Sequence, residues 1–176
     1  MSTVELTDVQ TLRERARQHV EQGAVTEGYN ADRQTILRLL NESLATEWVC
    51  TLRYKRHYYM ASGIKASVAA AEFLEHANQE QQHADMLAER IVQLGGEPDL
   101  NPDNLSKNSH AQYVAGKDLK EMVLEDLVAE RIAIDSYREI VRFIGDSDPT
   151  TRRIFEDILA QEEEHADDMA DLLKGL

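Results

Sequence analysis

Residues 80–91 read EQQHADMLAERI, and residues 162–173 read EEEHADDMADLL. Glu, His, Ala, Asp and Ala recur at the same places, at an offset of 82 residues (80 to 162). A second match lies upstream. Glu47 precedes Tyr54 by seven residues and Glu130 precedes Tyr137 by seven, at an offset of 83. The two halves of the chain are therefore related. What they share includes Glu and His, which a purely structural repeat does not require.

Periodicity places these residues on helices. Phe155, Ile158, Glu162, His165, Met169 and Leu172 step by three and four, which makes one apolar seam. Phe73, His76, Glu80, His83, Leu87, Ile91 and Leu94 form a second. Ile36, Leu40, Leu44, Glu47, Thr51 and Tyr54 form a third, and Leu119, Val123, Leu127, Glu130, Ile134, Tyr137 and Val141 a fourth. The spacing predicts four long helices. The first begins at a cap on Asn30 or Asp32 and runs to about Ser62, with Gly63 as its stop. The second runs from about Ala66 to Leu94 and ends at Gly95-Gly96-Glu97-Pro98. The third spans about 118–144. The fourth starts at Asp148 as N-cap with Pro149 as first helical residue, and ends at Gly175. Residues 97–117 read as a long connection, and residues of about 6–22 as a short polar helix. The expected organisation is an N-terminal helical extension (1–30) and an all-α four-helix bundle (31–176), with one long crossover between its second and third helices.

Composition agrees. The 176 residues are 42% hydrophobic and 30% charged, with only 8 Gly and 3 Pro, so breakers are too few for much besides helix. Lys+Arg 19 minus Asp+Glu 33 gives a net charge of −14. That balance argues against a general DNA or RNA binder and suits a protein that attracts cations. A lone cysteine, Cys50, excludes an intrachain disulfide and a Cys-rich metal site. The first residues have no basic and apolar leader pattern, and no apolar run approaches membrane-spanning length. A cytoplasmic protein with no membrane partner is the expectation.

Four glutamates in buried seams are costly, because each isolated buried ion costs several kcal/mol. No Arg or Lys stands in these seams to offset them. Two divalent cations would neutralise the four charges, and Glu with His suits iron or manganese. One Glu from each of two helices, with Glu-x-x-His from each of the other two, is a known two-metal constellation in helical bundles. Here the single residues are Glu47 and Glu130, and the motifs are Glu80-x-x-His83 and Glu162-x-x-His165. A lone Glu-x-x-His is weak evidence. Only two of the 6 His have Glu three residues earlier, however, and those two occupy equivalent repeat positions.

With these residues in place, the chain resembles the ferritin-like di-iron superfamily. It is most similar there to bacterioferritins and to the smaller Dps-like proteins with a bacterioferritin-type centre. The resemblance covers about residues 31–174. It rests on Leu39-Leu40-Asn41-Glu42, Glu47 with Tyr54 and His57, Glu80-Gln81-Gln82-His83-Ala84-Asp85, Asp126-Leu127-Val128-Ala129-Glu130 and Glu162-Glu163-Glu164-His165. It implies two iron ions per chain bridged by Glu80 and Glu162. Glu47 with His83, and Glu130 with His165, would be the terminal ligands. Tyr54 would lie beside the centre as hydrogen-bond or electron donor. Bacterioferritins place a haem-ligating Met directly after the second-helix Glu. Gln81 stands there, so haem held that way is not expected, and Met60 and Met86 are other thioethers on the first two helices. The eleven residues after His165 lack the further short helix of the 24-subunit cages, which favours twelve subunits over twenty-four. Some Dps-like relatives carry two cysteines near the metals, which this chain cannot match.

The resemblance implies a ferroxidase that stores or detoxifies iron. It would oxidise Fe(II) with hydrogen peroxide or dioxygen at Glu47, Glu80, His83, Glu130, Glu162, His165 and Tyr54, within a homo-oligomeric cage. Two other readings are a di-iron or di-manganese peroxidase or catalase without storage, and a Dps-like DNA-protecting protein, which the acidic charge disfavours. Outside the centre, His76 reads equally as an accessory ligand or as a core histidine. Cys50 reads as a small core residue. Trp48 and the cluster Arg53-Tyr54-Lys55-Arg56-His57-Tyr58-Tyr59 read as subunit-contact residues. Arg13, Arg15 and Arg17 are interleaved with acids and make a poor DNA-binding tail.

Overall fold

The computed structural model describes residues 6–64 and 66–176. Its elements are α1 (Val9–Arg15), a 3-10 turn (Val20–Gln22), α2 (Arg33–Met60), α3 (Ala66–Gln93), α4 (Pro102–Asn108), α5 (Leu119–Ile144) and α6 (Pro149–Gly175). No strand occurs among the described residues. α2 packs along α3 and α5 along α6, and the two hairpins join through α2–α5 and α3–α6 contacts. This is the four-helix bundle with one long crossover.

The starts of the long helices follow side-chain chemistry. Asp32 accepts from the Thr35 backbone N–H, Asp118 from that of Glu121 and Asp148 from that of Thr151. Each satisfies an N–H that the first turn leaves without a partner. Asp32, not Asn30, is the cap of α2. α5 stops at Gly145, whose φ of 51° lies where L side chains are strained.

Two expectations are corrected. The N-terminal helix is shorter than 6–22. α1 buries no residue, so nothing holds its continuation, and His19 turns to a left-handed φ of 49°. The connection 97–117 contains α4. Asn101 caps it and Pro102 begins it, so this Asn-Pro pair is a helix start signal. α6 runs to Gly175, where the sequence places its end.

The bundle core is divided along its length. Ile36, Leu40, Leu44, Leu87, Ile91, Phe155 and Ile158 pack at one end. Tyr54, Phe73, Met122, Val123 and Met169 pack at the other. The glutamate–histidine set lies between them.

Two buried arginine pairs hold the helices in register. Arg53, fully buried, donates from Nε to Asp126 on α5 at 2.7 Å and from Nη1 to the Gln112 carbonyl at 3.2 Å. His57 pairs with the other Asp126 oxygen at 2.8 Å and with the Ala115 carbonyl at 3.0 Å. Asp126 is one turn before Glu130, so this clamp fastens the crossover to α2 and sets the height of Glu130. The expectation of a subunit contact at 53–59 therefore fails for Arg53, Tyr54 and His57, which are buried within the chain. The alternation of charge and aromatics hid an inward face. Arg90 on α3 plays a similar part at the other end, donating to Asp148 at 2.8 Å.

Candidate metal centre

Glu47, Glu80, His83, Glu130, Glu162 and His165 meet between the two apolar clusters, each at most 2% exposed. They form two overlapping groups. One is Glu47, Glu80, His83 and Glu162; the other is Glu80, Glu130, Glu162 and His165. Glu80 and Glu162 belong to both.

His83 Nδ1 lies 3.1 Å from Glu47 Oε2, 3.2 Å from Glu80 Oε2 and 3.2 Å from Glu162 Oε1. His165 Nδ1 lies 3.4 Å from Glu162 Oε2, 3.7 Å from Glu80 Oε1 and 3.8 Å from Glu130 Oε2. A first-row divalent ion binds N and O at about 2.1 Å, so two of its ligands stand at most about 4.2 Å apart. All six separations fall below that. Glu80 Oε1, Glu130 Oε2, both Glu162 oxygens and His165 Nδ1 are buried with no hydrogen-bond partner. Orphaned buried oxygens of this kind are costly unless a cation takes them. The residues fit a pair of ions.

The surrounding residues repeat the same symmetry. His83 Nε2 donates to Gln161 Oε1 at 2.7 Å, and His165 Nε2 donates to Gln79 Oε1 at 2.8 Å. Each amide leaves Nδ1 turned to the carboxylates, the posture of a metal-ligating histidine. Tyr54 donates to Glu130 Oε1, and Tyr137 donates to Glu47 Oε1. Tyr137, Gln79 and Gln161 are absent from the expected site. Their signal was in the repeat: Tyr137 is the counterpart of Tyr54, and each Gln directly precedes the Glu of its motif.

Burial and mutual charge act on every member of the cluster. Burial, reinforced by negative neighbours, pushes the Glu47 and Glu130 carboxyls well above their ordinary range. Burial also acts to raise Glu80 and Glu162, but the nearby His83 and His165 rings outweigh it and hold both low. Burial disfavours charge on the histidines, yet the carboxylates overcome it and raise both, His165 to about 12. Four carboxylates with two neutral histidines would balance the charge of two divalent cations.

The residues weighed beside the centre also have definite places. His76 is buried, stacks on His165 with ring centroids 4.0 Å apart, and touches the Tyr54 hydroxyl. Cys50 is buried, and burial pushes its thiol well up, as for a small core residue. Trp48 is half-buried against the core. Gln81 is exposed.

Comparison with known proteins identifies the family. Residues 37–176 match the family model described as a ferritin-like domain. The bacterioferritin of Mycobacterium avium is 30% identical over 137 residues, covering 75% of this chain and 79% of that protein. The bacterioferritin of Desulfovibrio desulfuricans is 27% identical over 140 residues, covering 78% and 74%. Among solved structures, the bacterioferritin-related dodecameric thioferritin of Bacteroides fragilis aligns with a TM-score of 0.79 at 33% identity, covering 82% of this chain and 87% of that one. The family model and these relatives place this chain in the ferritin-like family.

Proposed function

We propose that each chain oxidises Fe(II) at a two-iron site inside its bundle, and that a cage of identical copies holds the Fe(III). The carrying observation is the pair of overlapping ligand groups that share Glu80 and Glu162, with their unpartnered buried oxygens. Glu80 and Glu162 bridge the two ions. Glu47 with His83, and Glu130 with His165, hold one ion each. Tyr54 and Tyr137 fix the outer carboxylates by donating to their far oxygens.

Iron is the substrate. Carboxylates favour the more highly charged Fe(III), which drives the oxidation. Two Fe(II) give up one electron each. With hydrogen peroxide the pair of electrons and two protons yield two waters; with dioxygen they yield one hydrogen peroxide. Delivering both electrons together avoids a hydroxyl radical. Gln81 is an exposed amide where the resemblance expects a thioether, so the proposal includes no haem there.

The assembly we propose is a dodecamer. The Bacteroides fragilis relative is described as dodecameric. Twelve copies of a 20.0 kDa chain make about 240 kDa, which light scattering on a sizing column would read. We place the protein in the cytoplasm. Among the described residues no helix is long and apolar enough to cross a membrane.

Stopped-flow oxidation of Fe(II) by peroxide and by dioxygen tests the site. Wild type is expected to show a fast phase that Glu130→Ala abolishes. A Glu130→Ala variant that keeps the wild-type rate would overturn the assignment.

A further inference from the structure

The repeat that relates the two halves of the centre fails on one flank. At the 82-residue offset, Glu72 pairs with Ile154, His76 with Ile158 and Asp168 with Met86. Ile158 is buried in the apolar cluster beyond Glu47 and His83. Its counterpart His76 is just as buried, 1% exposed, beyond Glu130 and His165. A polar trio therefore occupies one flank where the symmetry-related flank is hydrocarbon.

The trio is arranged around His76. Tyr54 gives its hydroxyl hydrogen to Glu130, so its oxygen accepts from His76 Nδ1–H at 3.3 Å. On the other side of the ring, Nε2 faces Asp168 Oδ2 at 3.4 Å, a long hydrogen-bond contact, and Glu72 Oε2 at 3.8 Å. A charged imidazole would close on a carboxylate to about 2.7–2.9 Å. These contacts are longer than that, and shorter than the span of about 4.2 Å that two ligands of one ion reach. A ring nitrogen held by its other side and aimed at two carboxylates is the arrangement of a metal-ligating histidine. Each of the three residues offers one ligand atom, all within 4.8 Å of one another. Glu72 and Asp168 also line an open pocket of about 540 Å³ with Ile64, Val68, Asp171 and Leu172. On the inner side, His76 stacks on His165.

We propose that Glu72, His76 and Asp168 form a third divalent-cation site, through which Fe(II) passes from this pocket to the Glu130–His165 half of the centre. The passage rests on the two-iron reading of that centre. The site itself is open to solvent on its carboxylate side and buried on its histidine side, as a transfer point requires. It is also one-sided, so iron reaches the pair of ions from the Glu130 side first.

Cobalt(II) is the probe, because it takes the same N/O ligands and is not oxidised under these conditions. Anaerobic titration of the assembled protein by calorimetry is expected to count three Co(II) per wild-type chain and two in Glu72→Gln/Asp168→Asn. Glu89→Gln/Asp157→Asn, a pair of exposed positions with the same change of charge, keeps three. Two ions in wild type, unchanged in Glu72→Gln/Asp168→Asn, would overturn the third site and leave the two-ion centre standing. A single ion that this variant removes would leave the third site standing and the centre fallen; no ion at all overturns both. Passage has its own readout. At sub-stoichiometric Fe(II), uptake should slow about tenfold in Glu72→Gln/Asp168→Asn, within the range by which local negative charge speeds capture of a cation. An unchanged uptake rate overturns the passage.

Discussion

On one side of the centre, Glu47 and His83 are held by Tyr137 and Gln161; on the other, Glu130 and His165 are held by Tyr54 and Gln79. The ligands and their immediate supports are duplicated. Their surroundings are not. Beyond the first half lie Ile154, Ile158 and Met86; beyond the second lie Glu72, His76 and Asp168. The Arg53–His57–Asp126 clamp is one-sided as well, because the 83-residue offset turns it into Ser136, Ile140 and Ser43. The chemistry of two ions needs two equal ligand sets. The route to them and the fastening of the long crossover need only one side each, and there the repeat has diverged.

Breaking the shared ligands gives the largest effect. Glu162 belongs to both groups, so Glu162→Ala is expected to bind no Co(II) at the centre, whereas Glu47→Ala loses one ion and keeps the other. Equal losses in an anaerobic ion count would mean that Glu162 does not bridge.

The clamp is next. Asp126→Ala leaves the fully buried Arg53 without its carboxylate and should cost about 3–5 kcal/mol in denaturant unfolding of the metal-free protein. Its repeat counterpart Ser43 has a buried hydroxyl with no partner, so Ser43→Ala should change stability by no more than about 0.5 kcal/mol.

Each supporting amide serves one ion. Gln161→Leu should weaken the ion at His83 by about 10–100-fold, and Gln79→Leu the ion at His165 by a similar factor. Calorimetry would resolve the two if each variant affects one ion and leaves the other.

The smallest effect is a pH dependence at the end nearer Glu47. Burial acts to raise the Asp148 carboxyl, but Thr151, Arg90 and Tyr29 outweigh it and hold it below its ordinary 3.8. A carboxyl lowered on folding stabilises in full above its unfolded value, and that contribution is lost as pH falls through the folded one. Unfolding midpoints of wild type and Asp148→Asn should therefore differ above about pH 4 and converge below it.

Much of this is legible in the amino-acid sequence. Helical spacing places all four glutamates and both motif histidines inside apolar seams, and Asp32, Asp148 and Pro149 mark helix starts. The supporting residues are harder to read. Gln79 and Gln161 are half-buried polar residues beside a seam, with no periodicity to single them out from solvated glutamines. Arg53 and His57 sit among Lys55, Arg56 and Tyr59, which do face outward, so composition points to a surface. The Asp126 carboxylate on another helix and carbonyls of the crossover turn them inward, and long-range pairing of that kind leaves no local pattern. The α4 start is easily misread because Asn and Pro both break and begin helices, and the residues after Pro102 decide between the two.

The most direct test of the account is the iron retained per chain. Apoprotein is titrated aerobically with Fe(II), passed through a sizing column, and its iron counted in the protein peak. Many more than about two irons per chain are expected in a large assembly, beyond the capacity of a single bundle site. Retention that stops at about two would contradict storage and favour a two-metal enzyme that holds no mineral.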